Sequence, residues 1–213
     1  MKKLIKKVPD KICAMMSVVV NSLYERSVRK KLRNNDFSII CSNCIGGLIY
    51  HRLGLPFLSP TINLWISQPD FLKFVMHIRE YLEEELVFEN SEYPYPVARL
   101  KDIHIYFAHY KSDDEARACW ERRKTRINYD NLFIIMYERD GITEDDIRQL
   151  EYVPCRAKIV LSDKPHSRID YVFRIKPTNN PDGQQCVDTD WLGIRTYEKK
   201  FDYVKWLNEG RDR

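Results

Sequence analysis

The chain has 213 residues, of which 44% are hydrophobic and 31% are charged. This length suits one large domain or two small interleaved lobes, and the composition excludes a disordered or fibrous chain. The formal net charge of +4 is unevenly distributed, because residues 1–35 carry ten basic and two acidic side chains whereas the rest of the chain is net −4.

The basic segment at residues 1–35 contains an apolar run at residues 12–20. The run lacks a small-residue cleavage site and is too short to span a bilayer. Its helical spacing predicts a helix packed against the body of the protein. A solvated helix flanked by lysines and a peripheral helix on an anionic membrane are the alternatives. The inward positions of the predicted helix are Ile12, Met16, Val19, Leu23 and Val28.

Strand and helix patterns alternate along the rest of the chain. This alternation predicts an α/β fold with a mainly parallel sheet and helices on both faces, a three-layer α/β/α arrangement that allows a smaller second α/β lobe. We divide the chain into the basic leading arm and helix, 1–35, and the α/β domain, 36–213. Strands are predicted at residues 37–41, 62–66, 102–107, 132–137, 157–161 and 171–175. Helices are predicted at residues 46–53, 67–86, 112–127, 143–150 and 197–207, and a loop at 177–183.

The six cysteines are scattered through a chain without a convincing export signal. This distribution predicts reduced thiols and a cytoplasmic protein rather than a disulfide scaffold. Cys41 and Cys44 have the C-x-x-C spacing, but a structural zinc site needs a second pair, and a thioredoxin-like pair needs its first cysteine at the start of the helix. We therefore predict no metal site, and the sequence leaves the cofactor unknown.

Ligands bind at the carboxyl ends of the strands in open parallel sheets, so the side chains after each strand define the predicted site. The first predicted strand is followed by the run Ser42-Asn-Cys-Ile-Gly-Gly47. Its two glycines at a strand-to-helix turn would allow the backbone to approach a ligand, and the start of the helix offers free N–H groups to an anion. The predicted ligand-binding residues of this run are Ser42, Asn43, Gly46 and Gly47.

The same turn predicts a lowered pKa for Cys44, because the helix dipole favours a thiolate. With His109 as base and Asp140 as its orienting group, the three residues form a candidate Cys–His–Asp catalytic site. The alternative is that Cys44 is a small buried hydrophobe and that the glycines serve packing.

Two arginines are further candidates for ligand binding. Arg123 falls on the inward face of its predicted helix, so it needs a phosphate or a carboxylate partner, and Asp130 or Asp140 could supply the latter. Arg139 directly follows the predicted central strand, beside Asp140.

These residues resemble a bacterial domain family of unknown biochemical function whose members are labelled exopolysaccharide biosynthesis proteins. The resemblance covers nearly everything from Phe37 to Asn208 and implies a role beside glycosyltransferases in making surface glycans. It supplies no established catalytic residues. The stretches that carry it are 42–47, 58–61, 95–97, 109–110, 120–123, 126–127, 130–133, 139–141 and 201–208.

Two functions compete on these grounds. The first is a transferase-like enzyme that modifies a sugar or sugar phosphate, with a sugar nucleotide or a lipid-linked sugar as its partner. The second is a non-catalytic assembly or regulatory protein that docks through the basic arm, which could also contact a membrane. An enzyme should have a pocket at the strand ends, whereas a docking protein should expose an apolar patch. Nucleic-acid binding is not expected, because the basic arm contains no recognisable binding motif.

Overall fold

The computed structural model describes residues 10–166, 169–175, 188–190 and 192–211. Its centre is a four-stranded parallel sheet with the order β1-β5-β6-β7. The strands are β1 (Ser38–Cys41), β5 (Leu132–Tyr137), β6 (Ala157–Ser162) and β7 (Val172–Arg174). The predicted parallel sheet is therefore confirmed, and β5 lies inside it with all six residues buried.

A second, smaller sheet is antiparallel and consists of β2 (Val87–Glu89), β3 (Val97–Leu100) and β4 (Ile103–Tyr106). Lys101 adopts a φ of 58°, so β3 and β4 form a tight hairpin. The strand predicted at 102–107 is therefore wrongly assigned to the parallel sheet. Sequence patterns missed β2 and β3, and they also missed that β4 has a local antiparallel partner.

Helices cover both faces of the parallel sheet. The helices are α1 (Asp10–Lys31), α2 (Ile45–Leu53), α3 (Gln68–Met76), α4 (Ile78–Glu83), α5 (Asp113–Lys124), α6 (Glu144–Gln149) and α7 (Tyr203–Glu209). Alternate residues of β5 enter two separate apolar cores, as the pleat requires. Phe133 and Ile135 pack with α2 and α7, whereas Ile134 and Met136 pack with α3, α5 and the small sheet.

Three predicted elements differ from the structure. Residues 62–66 form no strand, because Asn63 has a φ of 61°, and only Trp65 bridges to Tyr106. The helix predicted at 67–86 is interrupted at His77, whose φ of −128° is not helical. The last helix begins at Tyr203 rather than at residue 197, because the side chain of Asp202 accepts the Lys205 N–H at 3.0 Å and caps it. The loop predicted at 177–183 lies outside the described residues.

The leading helix is present, but its packing differs from the prediction. Val28 is buried as expected, whereas Met16, Val19 and Leu23 are exposed. The reason is that polar side chains anchor the inner face of α1. Asn21 donates to the carbonyl oxygen of Leu192 and accepts a hydrogen bond from Arg52. No helix in the part of the chain described is long and apolar enough to cross a membrane.

Candidate functional site

A tight turn after β1 positions Cys44. The side-chain oxygen of Asn43 accepts the backbone N–H of Ile45 at 3.0 Å and lies 3.2 Å from the Cys41 thiol. Cys44 occupies the N-cap of α2 with helical backbone angles, so its side chain projects from the start of the helix. Asn43 was predicted to bind a ligand, but its oxygen here holds the turn.

Cys44 and His109 are in direct contact. The Sγ atom of Cys44 lies 3.3 Å from Nε2 of His109, which is a hydrogen-bonding distance for sulfur. Cys44 is partly buried, whereas His109 is exposed to solvent. The two residues are 65 positions apart and come from different sheets, so the contact depends on the tertiary fold.

The small sheet delivers His109 to this position. The residues after β4 form a turn in which the Tyr110 N–H donates to Phe107 at 3.0 Å. The buried Tyr110 hydroxyl then donates to the carbonyl oxygen of Ile62 at 2.7 Å. Because Ile62 packs against the first turn of α2, this hydrogen bond fixes His109 beside Cys44. The rule about parallel strand ends does not explain the contact, since β4 lies outside the parallel sheet.

The thiol of Cys44 is neutral in the resting site. Burial raises its pKa, which is opposite to the lowering expected from the helix dipole. The prediction of a preformed thiolate is therefore wrong. A neutral thiol can donate its proton to Nε2 when Nδ1 of His109 carries the ring proton. The pair can therefore form the Cys44 thiolate by transferring the thiol proton to His109.

Arg123 lies close to this pair. It is 7% exposed, and its Nη1 donates to the Tyr110 hydroxyl and, at 3.3 Å, to the carbonyl oxygen of Ile62. Its guanidinium also lies 5.0 Å from the centre of the Phe57 ring. No carboxylate in the described ranges lies within salt-bridge distance, so neither Asp130 nor Asp140 is its partner. The helix bearing Arg123 thus places a buried positive charge against the hydroxyl group of Tyr110, the residue after His109.

Asp140 and Arg139 belong to a separate neighbourhood. The carboxylate of Asp140 accepts the backbone N–H of Gln68 and the Nε–H of Arg139, each at 3.1 Å. These contacts hold Asp140 at the start of α3, and among the described residues no hydrogen bond or ion pair joins Asp140 to His109. Its predicted role as the orienting group of a triad is wrong, because the left-handed backbone at φ 57° turns it toward Gln68. The structure therefore brings together a Cys–His pair, not a triad.

The glycines serve close packing. A Cβ atom on Gly46 would lie 3.2 Å from Cβ of Cys41, and one on Gly47 would lie 3.1 Å from Oδ1 of Asn63. Both contacts are tighter than ordinary, so the two glycines let α2 press against β1 and the segment at 62–63. Ser42 is also buried, and its backbone oxygen accepts the Ile66 N–H. Packing accounts for the two glycines, whereas the buried hydroxyl group of Ser42 has no hydrogen-bond partner among the described residues; ligand binding at these positions stays a prediction.

An aromatic cluster at the end of β4 was missed by sequence reasoning. Trp65 stacks on Tyr106 with ring centres 3.7 Å apart, and Tyr93 stacks on Tyr95 at 5.2 Å. Tyr93 is 48% exposed, and the guanidinium of Arg139 lies 5.6 Å from the Trp65 ring. The aromatic residues at 93 and 95 alternate with prolines at 94 and 96 in the sequence. Their alternation with prolines was the signal that could have indicated an exposed binding surface.

A second missed cluster surrounds Glu138 at the end of β5. Its buried carboxylate is 2.8 Å from Nζ of Lys164 and also hydrogen-bonds Ser162 and His166. Burial raises the pKa of Glu138, but these hydrogen bonds outweigh it and lower the pKa below its usual value. His166 contacts a second carboxylate, Glu144, at 3.3 Å. The cluster is an internally satisfied ion-pair network that holds the ends of β5 and β6 together.

Several cavities lie elsewhere on the surface. One of about 440 Å³ lies between β7 and α7 and includes Phe173, Phe201 and Trp206, and another of about 310 Å³ lies between α3 and α6. Neither includes Cys44 or His109. Within the described ranges, no group of three or more His, Cys, Asp or Glu side chains could hold a metal ion.

Comparison with known proteins assigns the chain to a family. Residues 15–208 match the family described as "Domain of unknown function (DUF1919)". The chain belongs to this family. An uncharacterized protein from Haemophilus influenzae (strain Rd) is 40% identical over 185 residues, which cover 86% of this chain and 89% of the relative. The family was expected from the sequence; its connection with exopolysaccharide stays a prediction.

Proposed function

We propose that this DUF1919 protein is a group-transfer enzyme of bacterial surface polysaccharide biosynthesis, in which Cys44 is the nucleophile and His109 the proton-transfer residue. The observation that carries the proposal is the 3.3 Å contact between Sγ of Cys44 and Nε2 of His109. A nucleophile within hydrogen-bond reach of a base is the arrangement that covalent catalysis requires. A sugar or sugar phosphate in exopolysaccharide or capsule synthesis is the proposed substrate, in line with the sequence resemblance.

The chemistry that this pair suits best is acyl transfer to a sugar hydroxyl. Nε2 of His109 accepts the thiol proton while Sγ of Cys44 attacks the acyl carbonyl carbon of a donor. The carbon–sulfur bond forms, the bond to the leaving group breaks, and His109 returns the proton to that group. In the second half, His109 takes the proton of a sugar hydroxyl whose oxygen attacks the thioester. The thiolate that leaves recovers the proton from His109.

Two structural features, a buried arginine and an exposed tyrosine, support an anionic sugar substrate. The positive charge of Arg123, without a carboxylate partner in the described ranges, lies against the Tyr110 hydroxyl and is the feature that favours a phosphate-bearing ligand. The exposed ring of Tyr93 offers an aromatic face, whose negative charge density suits the C–H face of a sugar ring. A sugar nucleotide and a lipid-linked sugar both combine these two features.

The direct test follows acyl transfer in the purified full chain. Acetyl-coenzyme A is the donor probe and UDP-N-acetylglucosamine the acceptor probe, with peptide mass spectrometry after a rapid quench to detect an acetyl group on Cys44. We expect the label in the wild-type protein and in His104→Gln, and its loss in His109→Gln. Cys44→Ser should remove the label at that position, whereas Cys119→Ser should keep it.

The matched controls separate chemistry from folding. His104 is an exposed histidine paired with Glu89, and Cys119 is a partly buried thiol on α5, so neither belongs to the pair. If Cys44 is never labelled by this donor or by acetyl phosphate, the acyl-transfer mechanism is wrong. If the label forms equally in His109→Gln, the assigned role of His109 is wrong.

The second candidate function, a non-catalytic assembly or regulatory protein, is favoured by two observations. The cavities described above do not include Cys44 or His109, although an enzyme is expected to have a pocket at its site. The outer face of α1 exposes a contiguous group of apolar side chains, which is typical of a docking surface. A protein of this kind would tolerate Cys44→Ser and His109→Gln without losing its role in glycan production. Complementation of a deletion strain with these two variants distinguishes the two functions.

A further inference from the structure

The outer face of α1 is the most apolar exposed surface in the described ranges. In these ranges eight large hydrophobic side chains are exposed, and five of them lie on this helix. All five fall within 15–23, at spacings that place them on one side of the helix. They are Met15 at 72% exposure, Val18 at 69%, Leu23 at 59%, Val19 at 58% and Met16 at 43%. We call this group the α1 apolar face.

Polar contacts on the opposite side fix the rotation of α1. Asn21 and Glu25 both contact the buried Arg52 on α2, at 2.7 and 3.3 Å. Val28 is buried, and the Tyr24 ring lies 5.3 Å from the Arg52 guanidinium. Turning the apolar face inward would remove two hydrogen-bond partners, Asn21 and Glu25, from the buried guanidinium of Arg52. The apolar face therefore stays outside as a stable feature of the fold.

Basic residues flank the α1 apolar face on both sides. Lys11 and four further lysines precede it in the sequence, and Arg26, Arg29, Lys30 and Lys31 follow it. Between Lys11 and Arg26 the only acidic residue is Glu25, which is already paired with Arg29 and Arg52. The apolar side chains thus lie between two positive clusters with little compensating negative charge.

This charge pattern selects among the possible partners of the face. A second copy of the chain would bring one basic cluster against another in either a parallel or an antiparallel helix pair, and like charges repel. An anionic lipid surface attracts both clusters while its acyl region accepts the apolar side chains. At 1.5 Å per residue, the 22-residue helix is about 33 Å long, so the apolar side chains and the basic residues at its carboxyl end can contact one flat surface.

We propose that α1 binds the anionic phospholipid surface of a membrane, lying along it with the apolar face inserted between the headgroups. The helix lies on the membrane and does not cross it. The inward face remains attached to the protein through Arg52, so binding does not require the domain to unfold. The inference is independent of the chemistry at Cys44, because it depends on a different surface.

Sedimentation with vesicles tests the proposal on the full chain. The probes are vesicles of pure phosphatidylcholine and vesicles with 30% phosphatidylglycerol, a composition chosen to be about one-third anionic. We expect at least about tenfold tighter binding to the anionic vesicles, since each basic residue near such a surface contributes roughly fivefold. The double variant Val19→Glu/Leu23→Glu should lose at least about tenfold of that affinity, because it places two acidic groups at the insertion face.

The matched control is Val87→Glu/Tyr152→Glu, which changes two exposed hydrophobic residues away from α1. It should bind like the wild-type protein, and circular dichroism should show that both double variants are folded. Equal affinity of the two double variants overturns the proposal. No binding to anionic vesicles at physiological salt also overturns it. Light scattering of the protein without lipid tests the remaining alternative. If the wild-type protein is a dimer and Val19→Glu/Leu23→Glu is a monomer, the face binds a second copy of the chain and the proposal is wrong.

Discussion

Arg52 joins three parts of the chain, and its removal should be strongly destabilising. The guanidinium forms two hydrogen bonds with the carboxylate of Glu198, at 2.9 and 3.1 Å, and further bonds with Asn21, Glu25 and the carbonyl oxygen of Gly193. The side chain of Glu198 is 0% exposed and that of Arg52 is 6% exposed. Burial alone would lower the pKa of Arg52, but the hydrogen bonds and the charge of Glu198 outweigh it and raise the pKa above its usual value, so the guanidinium stays charged.

The expected loss of unfolding free energy depends on which charged groups each substitution leaves without a partner. Arg52→Met removes the two direct hydrogen bonds of a fully buried carboxylate and leaves it only the Arg195 N–H at 2.8 Å and the Arg195 guanidinium at 4.0 Å. Breaking a buried ion pair typically costs 3–5 kcal/mol of unfolding free energy, or about 4 kcal/mol here. Arg52→Met/Glu198→Leu removes both charges and should cost less than the single change, because no buried ion remains unpaired. Arg99→Met is the matched control, since its ion pair with Glu89 is exposed and should be worth less than about 1 kcal/mol.

Urea unfolding followed by circular dichroism measures these differences. With an m-value of about 3 kcal/mol/M, Arg52→Met should lower the unfolding midpoint by about 1 M or more. The reasoning is refuted if Arg52→Met costs no more unfolding free energy than Arg99→Met. It is also refuted if Arg52→Met/Glu198→Leu is less stable than Arg52→Met alone.

Two further predictions concern the turn and the ion-pair network. Gly47→Ala should lower the unfolding free energy by about 1–2 kcal/mol, since its Cβ atom would lie 3.1 Å from Asn63 and 3.2 Å from Ile62. Urea unfolding measures the loss, and an unchanged midpoint would show that the segment at 62–63 can move. Because the folded-state pKa of Glu138 is lowered, its contribution to stability is present above the unfolded pKa of about 4.3 and is lost as pH falls through the lower folded pKa. Glu138→Gln should therefore lower the melting temperature at pH 7 much more than at pH 3, and an equal loss at both values would contradict the assignment.

The parallel sheet could be predicted because its signals are local. The run at 132–137 is apolar on both faces, and such continuous runs are typical of strands covered by helices on both sides. The helix after β1 was also predictable, since two glycines follow a short apolar strand. The small sheet could not be recognised, because β2 and β3 are only three and four residues long and their pairing depends on contacts across a turn.

The candidate site shows the same division between local and tertiary information. Cys44 was identified from its place at the start of α2, and His109 from its place after a strand. The reason given for their meeting was wrong, because β4 belongs to the antiparallel sheet. The pKa direction of Cys44 also depends on burial, which no local pattern reveals. Asp140 was assigned to the pair because its backbone conformation, with a φ of 57°, could not be read from neighbouring residues.

The pairing of Cys44 with His109 is tested most directly by alkylation of individual cysteines with iodoacetamide at pH 7, mapped by peptide mass spectrometry. If Nε2 of His109 accepts the thiol proton, His109→Gln should slow alkylation of Cys44 by at least about tenfold, in the range of general-base effects. The rate at Cys119 should not change in the same sample, since its contact is with Arg122. An unchanged or faster rate at Cys44 in His109→Gln would contradict the proton-transfer pair on which the proposed function depends.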